Sequence, residues 1–199
     1  SADHTLDAKL AGGVADVELA ATGGWDGSVL SERLTAGNIN QSELGAWRLA
    51  AAAGGASQVL CVDSSAPARE LLQRSAAANG LHNIRTERAD AFDALAALRE
   101  AGERFDVVII DPPAFIKRRK DIPKGQAAYR KLNQQAMQVL ARDGFLVSCS
   151  CSHHLGLDDL MVTIQQAARH VDRFVQVVEV GGHAPDHPIH PAIAETRYL

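Results

Sequence analysis

The segment Phe105-Asp106-Val107-Val108-Ile109-Ile110-Asp111 constrains this chain more than any other. Four consecutive aliphatic residues, all β-branched, read as a strand buried on both faces. Pro112-Pro113 stops it, because proline lacks the amide that a ladder needs. The pattern of an apolar run ending in an acid recurs at 58–63, which closes on Asp63, and at 83–90, which closes on Asp90. Helical periodicity fills the gaps. Leu71, Leu72 and Ala76 share one side of a helix over 66–79 that stops at Asn79-Gly80, and Leu95 and Leu98 mark one over 91–101. Downstream the pattern predicts a helix over 127–140, a strand over 145–149, a helix over 157–170 and a strand over 174–180. Such βα alternation predicts an α/β fold with a mostly parallel sheet and helices on both faces.

The remaining features narrow the class. A chain of 199 residues with 46% hydrophobic and 22% charged residues suits one α/β domain and argues against wholesale disorder. No apolar run approaches the roughly 20 residues of a membrane span. Ser1 to Thr5 lack the basic start of a secretion signal. Three cysteines, two of them one residue apart at Cys149 and Cys151, suit neither a disulfide framework nor a paired CxxC zinc site. A reduced, cytoplasmic protein is the expectation. The first 36 residues read as a connecting hairpin, with turn residues at Thr22 to Gly27, and 37–199 as the α/β domain. Leu44 to Ala53 reads as an Ala-rich helix.

In open sheets of this kind, ligands bind beyond the carboxyl ends of the strands. Asp63, Asp90, Asp111 and the run Ser148-Cys149-Ser150-Cys151-Ser152 all fall at such ends. An acid after the first strand suits ribose hydroxyls, and one at Asp90 suits an adenine amino group. Equally, each acid would simply cap the helix that follows. No G-x-G-x-x-G occurs, so dinucleotide binding of the NAD type is not supported. The two prolines after Asp111 hold its carboxylate at the rim, as a structural turn or as a substrate platform. Cys61 reads as core and Cys149 as sheet, whereas Cys151 lies past the strand, where a thiolate is a candidate nucleophile.

Lys117-Arg118-Arg119-Lys120, with Lys124, Arg130 and Lys131, gathers seven of the 20 basic residues in a chain whose formal net charge is −4. A solvated charge run is one reading; a phosphate backbone crossing the rim is the other, with Phe115 and Tyr129 adding stacking. His183, His187 and His190 sit among prolines without metal-ligand spacing, so no metal is expected. His153-His154 lie near enough in sequence to tune Cys151.

Residues from about 44 onward resemble the S-adenosylmethionine-dependent RNA cytosine-C5 methyltransferases of bacterial large-subunit ribosomal RNA. The resemblance rests on Gly45-Ala46-Trp47, Val59 to Asp63, Asn79-Gly80, Asp90-Ala91-Phe92, Phe105 to Phe115, Ser150-Cys151-Ser152, and Asp186 to Pro191. It implies a Rossmann-like class I methyltransferase fold with a seven-stranded sheet. It also implies a donor site of Gly45, Asp63, Ser64, Asp90, Ala91, Phe92, Asp111 and Pro112. Asp111 and Pro112 would also meet the target base, Cys151 would be the nucleophile and Asp111 its catalytic partner. Pro113, Phe115, Lys117, Arg118, Arg119, Lys120 and Tyr129 would face RNA. The chain departs from the family at the polar Gly37 to Glu43, in having no PUA-type domain, and in stopping at Leu199 before a final strand. A fragment is therefore expected. Two other readings stand beside this one. An amino-group nucleic-acid methyltransferase would place an aromatic residue directly after D-P-P, where Ala114 stands. A non-catalytic RNA-binding protein would have lost the donor.

Overall fold

A computed structural model describes residues 46–181. The hairpin expected over the first residues, Gly45 and the histidine tail lie outside this range. The described elements run α1 (Ala46–Ala53), β1 (Val59–Val62), α2 (Ala66–Ala78), β2 (Ile84–Glu87), α3 (Ala91–Glu100), β3 (Phe105–Ile110), α4 (Ile122–Val139), β4 (Leu140–Ser148) and α5 (Leu157–His170). A single 3₁₀ turn at Arg119–Asp121 leads into α4. The chain divides into two compact units. The first holds the described residues through Ile109 together with Val139–Leu146, and the second holds Ile110–Gln138 together with the residues from Val147 onward.

In the first unit, β1 and β2 pair in parallel with Val59 opposite Ile84 and Val62 opposite Glu87. The α2 crossover makes this a βαβ unit, as the alternating sequence requires. Ser65 starts α2 by accepting the Ala68 amide at 3.3 Å, with Pro67 in the first turn where its missing N–H costs nothing. Gly80, at φ +66°, ends it by a left-handed step that returns the Leu81 amide to the Ala76 carbonyl at 2.9 Å. Leu49, Cys61, Leu72 and Ala76 then form a buried cluster. Asn83 ties the start of β2 to the end of α1 by donating to the Ala52 and Ala56 carbonyls at 3.2 and 2.7 Å.

β3 and β4 are hydrogen-bonded neighbours. β4 contains Asp143 at φ +61° followed by Gly144. A Cβ at Gly144 would stand 2.7 Å from the Asp106 carbonyl oxygen, so only glycine lets the two strands approach this closely.

Three sequence expectations need correction. β4 begins at Leu140 rather than at the expected residue 145. α4 begins at Ile122, five residues before the expected start, because Pro123 occupies a first turn that needs no amide from it. Residues 174–180 form no strand despite their valines. Phe174 is 89% exposed and no ladder partner meets this segment among the described residues, and an unpaired strand leaves its backbone groups unsatisfied.

Gly144→Ala should destabilise the protein by about 1–3 kcal/mol through this clash. A urea melt with a lower midpoint and unchanged slope would show it.

Candidate active site

The second unit contains the reactive centre. The Cys149 amide donates to the Ile110 carbonyl at 2.9 Å, so β3 and β4 end side by side. Two residues further along each chain, the Cys151 thiol donates to the Pro112 carbonyl at 3.6 Å. Proline keeps its carbonyl while lacking an amide, so Pro112 leaves an acceptor at the strand end without a competing donor. Pro112 is buried, Asp111 and Pro113 are exposed, and Cys151 is half-buried between buried Ser150 and Ser152.

Burial pushes the Cys151 thiol up from its ordinary range, and the negative charge of Asp111 pushes it further. Its own backbone amide opposes them weakly. At neutral pH the resting thiol is protonated.

Around this centre lies a hydrogen-bonded cluster. Ser150 Oγ donates to Tyr129 Oη at 3.1 Å, and Tyr129 Oη lies 2.9 Å from Ser152 Oγ. The Ile116 amide donates to Ser152 Oγ at 3.1 Å, and the Ser152 amide to Ser150 Oγ at 3.2 Å. Tyr129 belongs to the buried stripe of α4 and packs with Ile116, Leu155 and Leu160. Phe115 meets its ring at a centroid distance of 4.9 Å, tilted by 60°. Gly125 permits this approach, since a Cβ there would run into the Ile116 side chain and lie 3.1 Å from the Phe115 carbonyl oxygen.

This corrects one expectation. Tyr129 is 0% exposed, so its ring cannot stack on a base; the apolar stripe that buries it also takes it out of any RNA surface. Phe115 remains half-buried. Lys117, Arg118, Arg119 and Lys120 are all exposed, as an anion surface requires. A further cleft of about 560 Å³ between α4 and α5 is lined by Ala127, Arg130, Lys131, Gln134, Gln166 and His170, without a carboxylate. Among the described residues no cluster of three His, Cys, Asp or Glu side chains is arranged for a metal, and no helix is long and apolar enough to cross a membrane.

In the first unit the two acids separate. Asp90 is the N-cap of α3, accepting the Phe92 amide at 2.9 Å. Ser65 caps α2, and Asp63 accepts the Ser65 amide at 2.8 Å and stays half-buried at the end of β1. Ser64 and Ala91 are exposed and Phe92 is half-buried.

A model of the S-adenosylmethionine-dependent methyltransferase family matches residues 37–197. The chain belongs to that family. It is 40% identical over 157 residues to the ribosomal RNA large subunit methyltransferase I of Photobacterium profundum, covering 78% of this chain and 40% of that protein. The protein of the same name from Escherichia coli O139:H28 is 34% identical over 160 residues, again with 40% of its length covered. The chain thus spans about 40% of the length of these curated relatives. Among solved structures it is similar to SMU.776, assigned as a methyltransferase and complexed with SAH (TM-score 0.68, 21% identity, 89% of this chain and 50% of that one). It is also similar to a SAM-dependent methyltransferase from Agrobacterium tumefaciens (TM-score 0.53, 20% identity, 71% and 49%). These likenesses show the fold, an α/β methyltransferase architecture of the Rossmann-like kind.

The residues of the first unit fit the methyl donor this family uses. α2 has its own cap in Ser65, so helix formation does not require the carboxylate of Asp63, and its acceptor chemistry suits paired ribose hydroxyls. Asp90 offers a second carboxylate at the start of α3, an acceptor of the kind an adenine amino group would meet. Sequence reasoning missed the bridging roles of Ser150, Ser152 and Asn133, the last donating from buried Nδ2 to the Tyr129 carbonyl at 2.9 Å. The signal available was the spacing of four between Tyr129 and Asn133 on an otherwise apolar helix face.

Asp111→Asn should move the pH midpoint of Cys151 alkylation down, because it removes the charge that opposes thiolate formation. Iodoacetamide labelling followed across pH by peptide mass spectrometry reads this; an unchanged or higher midpoint would contradict it.

Proposed function

We propose that this chain is the catalytic part of a methyltransferase that modifies carbon 5 of a cytosine in large-subunit ribosomal RNA. In this reading the division into a connecting segment over 1–36 and a catalytic domain from residue 37 also holds. The observation that carries the reading is the juxtaposition of the Cys151 thiol with the Asp111-Pro112 strand end within one compact unit. Methylation of an amino group needs no thiol, because nitrogen is itself the nucleophile. Carbon 5 of cytosine is too weak a nucleophile and must be activated. The names of the curated relatives, ribosomal RNA large subunit methyltransferase I, support the choice of RNA.

The methyl donor, when bound, supplies an electrophilic methyl group on a positively charged sulfur. Asp63, Asp90 and Phe92 would hold its nucleoside part, with Gly45, Ser64, Ala91, Asp111 and Pro112 completing that site. Cys151 adds through Sγ to carbon 6 of the cytosine, forming an S–C bond and placing an electron pair on carbon 5. That pair would take the methyl group, the bond from the methyl to the donor sulfur breaking so that the sulfur keeps its electrons and leaves as a neutral thioether. Loss of the carbon-5 proton to a base then returns the electrons to the ring, and the S–C bond breaks. Binding sets the Asp111 carboxylate against the lone pair of ring nitrogen 3, and the two take up one proton from solvent between them, which disperses the charge gained by the ring. The same proton neutralises Asp111 and removes its opposition to the Cys151 thiolate. Binding of cytosine thereby favours the reactive form of the thiol. The target base must be unstacked, so a single-stranded or flipped nucleotide is the substrate.

Pro113, Phe115 and the exposed Lys117, Arg118, Arg119 and Lys120 are the proposed RNA surface, with Arg130 and Lys131 in the α4–α5 cleft extending the positive field. This local concentration outweighs the formal net charge of −4, because phosphate contacts depend on nearby charge within a Debye length.

Two measurements test the reading. Cys151→Ala should lower methyl transfer to large-subunit ribosomal RNA at least about a thousand-fold while donor binding by calorimetry is retained. Full activity in that variant, or a product other than 5-methylcytosine by nucleoside mass spectrometry, would contradict it, and a folded wild-type chain without donor binding would favour a non-catalytic RNA-binding protein. Replacing Lys117, Arg118 and Arg119 by Ala should flatten the salt dependence of RNA affinity by up to about two units of slope.

A further inference from the structure

We propose that Tyr129 is a positioning residue for the Cys151 nucleophile: its buried phenol holds the two serines on either side of Cys151 and, through Ser152, the segment that follows Pro112. The inference rests on the reading of Cys151 as nucleophile.

The hydrogen bonds have a direction. Ser150 Oγ donates to Tyr129 Oη, which leaves the phenol proton for Ser152 Oγ, 2.9 Å away. Ser152 Oγ also accepts from the Ile116 amide, and the Ser152 amide returns to Ser150 Oγ. Ser150, Tyr129 and Ser152 thus close a ring of bonds around the single residue between the serines. Cys151 lies between two residues that are themselves held, with its thiol on the Pro112 carbonyl. The Ile116 amide brings the other strand end into the same ring, so one phenol sets the spacing between the Asp111-Pro112 platform and the thiol.

A space-filling role does not account for the hydroxyl. Phenylalanine would fill the cluster of Ile116, Leu155 and Leu160 and meet Phe115 equally well, and burying a hydroxyl is unfavourable unless it is bonded. Here every bond the phenol makes runs to a serine flanking the cysteine. Within α4, Asn133 donates to the Tyr129 backbone carbonyl one turn before it at 2.9 Å. Catalysis through a covalent adduct needs the sulfur within bonding reach of carbon 6 and on one face of the ring, and a displacement of about 1 Å can cost roughly 100-fold in rate.

The test is Tyr129→Phe in the full chain, with all three cysteines followed by iodoacetamide labelling across pH and methyl transfer measured on protein-free large-subunit ribosomal RNA. Buried Cys61 and Cys149 report whether the fold survives. They should stay unlabelled, while the Cys151 midpoint moves toward that of an ordinary thiol as the residue loosens. Methyl transfer should fall about 10- to 100-fold in kcat, with KM for RNA changed by less than about two-fold. Ser152→Ala should give the same pair of effects, and the double variant little more than either single one, because both act through one network. An unchanged Cys151 profile together with unchanged kcat would overturn the proposal, as would strictly additive losses in the double variant. If Cys61 and Cys149 become labelled in Tyr129→Phe, Ser150→Ala and Ser152→Ala carry the same test. A shifted Cys151 profile in Tyr129→Phe, with a wild-type chain that methylates no cytosine, would uphold the positioning and overturn only the reading of the substrate.

Discussion

One backbone hydrogen bond organises the candidate site: the Cys149 amide on the Ile110 carbonyl, at 2.9 Å. It brings the last residues of β3 and β4 level. Everything chemical follows within two residues on either strand, where Asp111-Pro112 meets Ser150-Cys151-Ser152. The apolar run 107–110 makes β3 a buried strand, and the prolines end it there. A side chain that must reach a substrate needs a rigid strand behind it and an abrupt end in front, and this sequence provides both.

The electrostatics of that meeting point oppose the reaction at rest. Burial and the Asp111 carboxylate both favour the protonated thiol, so the isolated site holds a weak nucleophile. A substrate whose ring nitrogen engages Asp111 changes that balance in the direction of the thiolate. In the proposed function, the acid beside the cysteine thus couples substrate occupancy to nucleophile strength. The basic residues that follow Pro113 act differently, through long-range attraction of a polyanion, and do not touch the thiol's proton equilibrium.

Much of this was legible in the sequence because it rests on local pattern. The strands at β1 and β3, the helix over Leu157–His170 and the stop at Asn79-Gly80 follow from periodicity and capping chemistry alone. So does the contrast between buried Cys61 and half-buried Cys151. What escaped depends on partners distant in the chain. The valines of 174–180 look like a strand, yet strand formation is decided by a neighbour, and none meets them among the described residues. Tyr129 looks like a stacking residue beside Arg130 and Lys131, yet the phase of α4 turns it inward and the basic pair outward. Asp63 and Asp90 read alike, and only the hydrogen bonds show that one caps a helix while the other stands before a helix already capped by Ser65.

The covalent step is the centre of the account, and RNA carrying 5-fluorocytosine at the target tests it most directly. Fluorine at carbon 5 leaves no proton to remove after methyl transfer, so elimination of the cysteine is blocked. Incubation of the chain with this RNA and S-adenosylmethionine should yield a denaturation-resistant protein–RNA adduct that maps to Cys151 by peptide mass spectrometry. Methylation of unmodified RNA without any trapped adduct on the fluorinated RNA, or an adduct on another residue, would contradict the account.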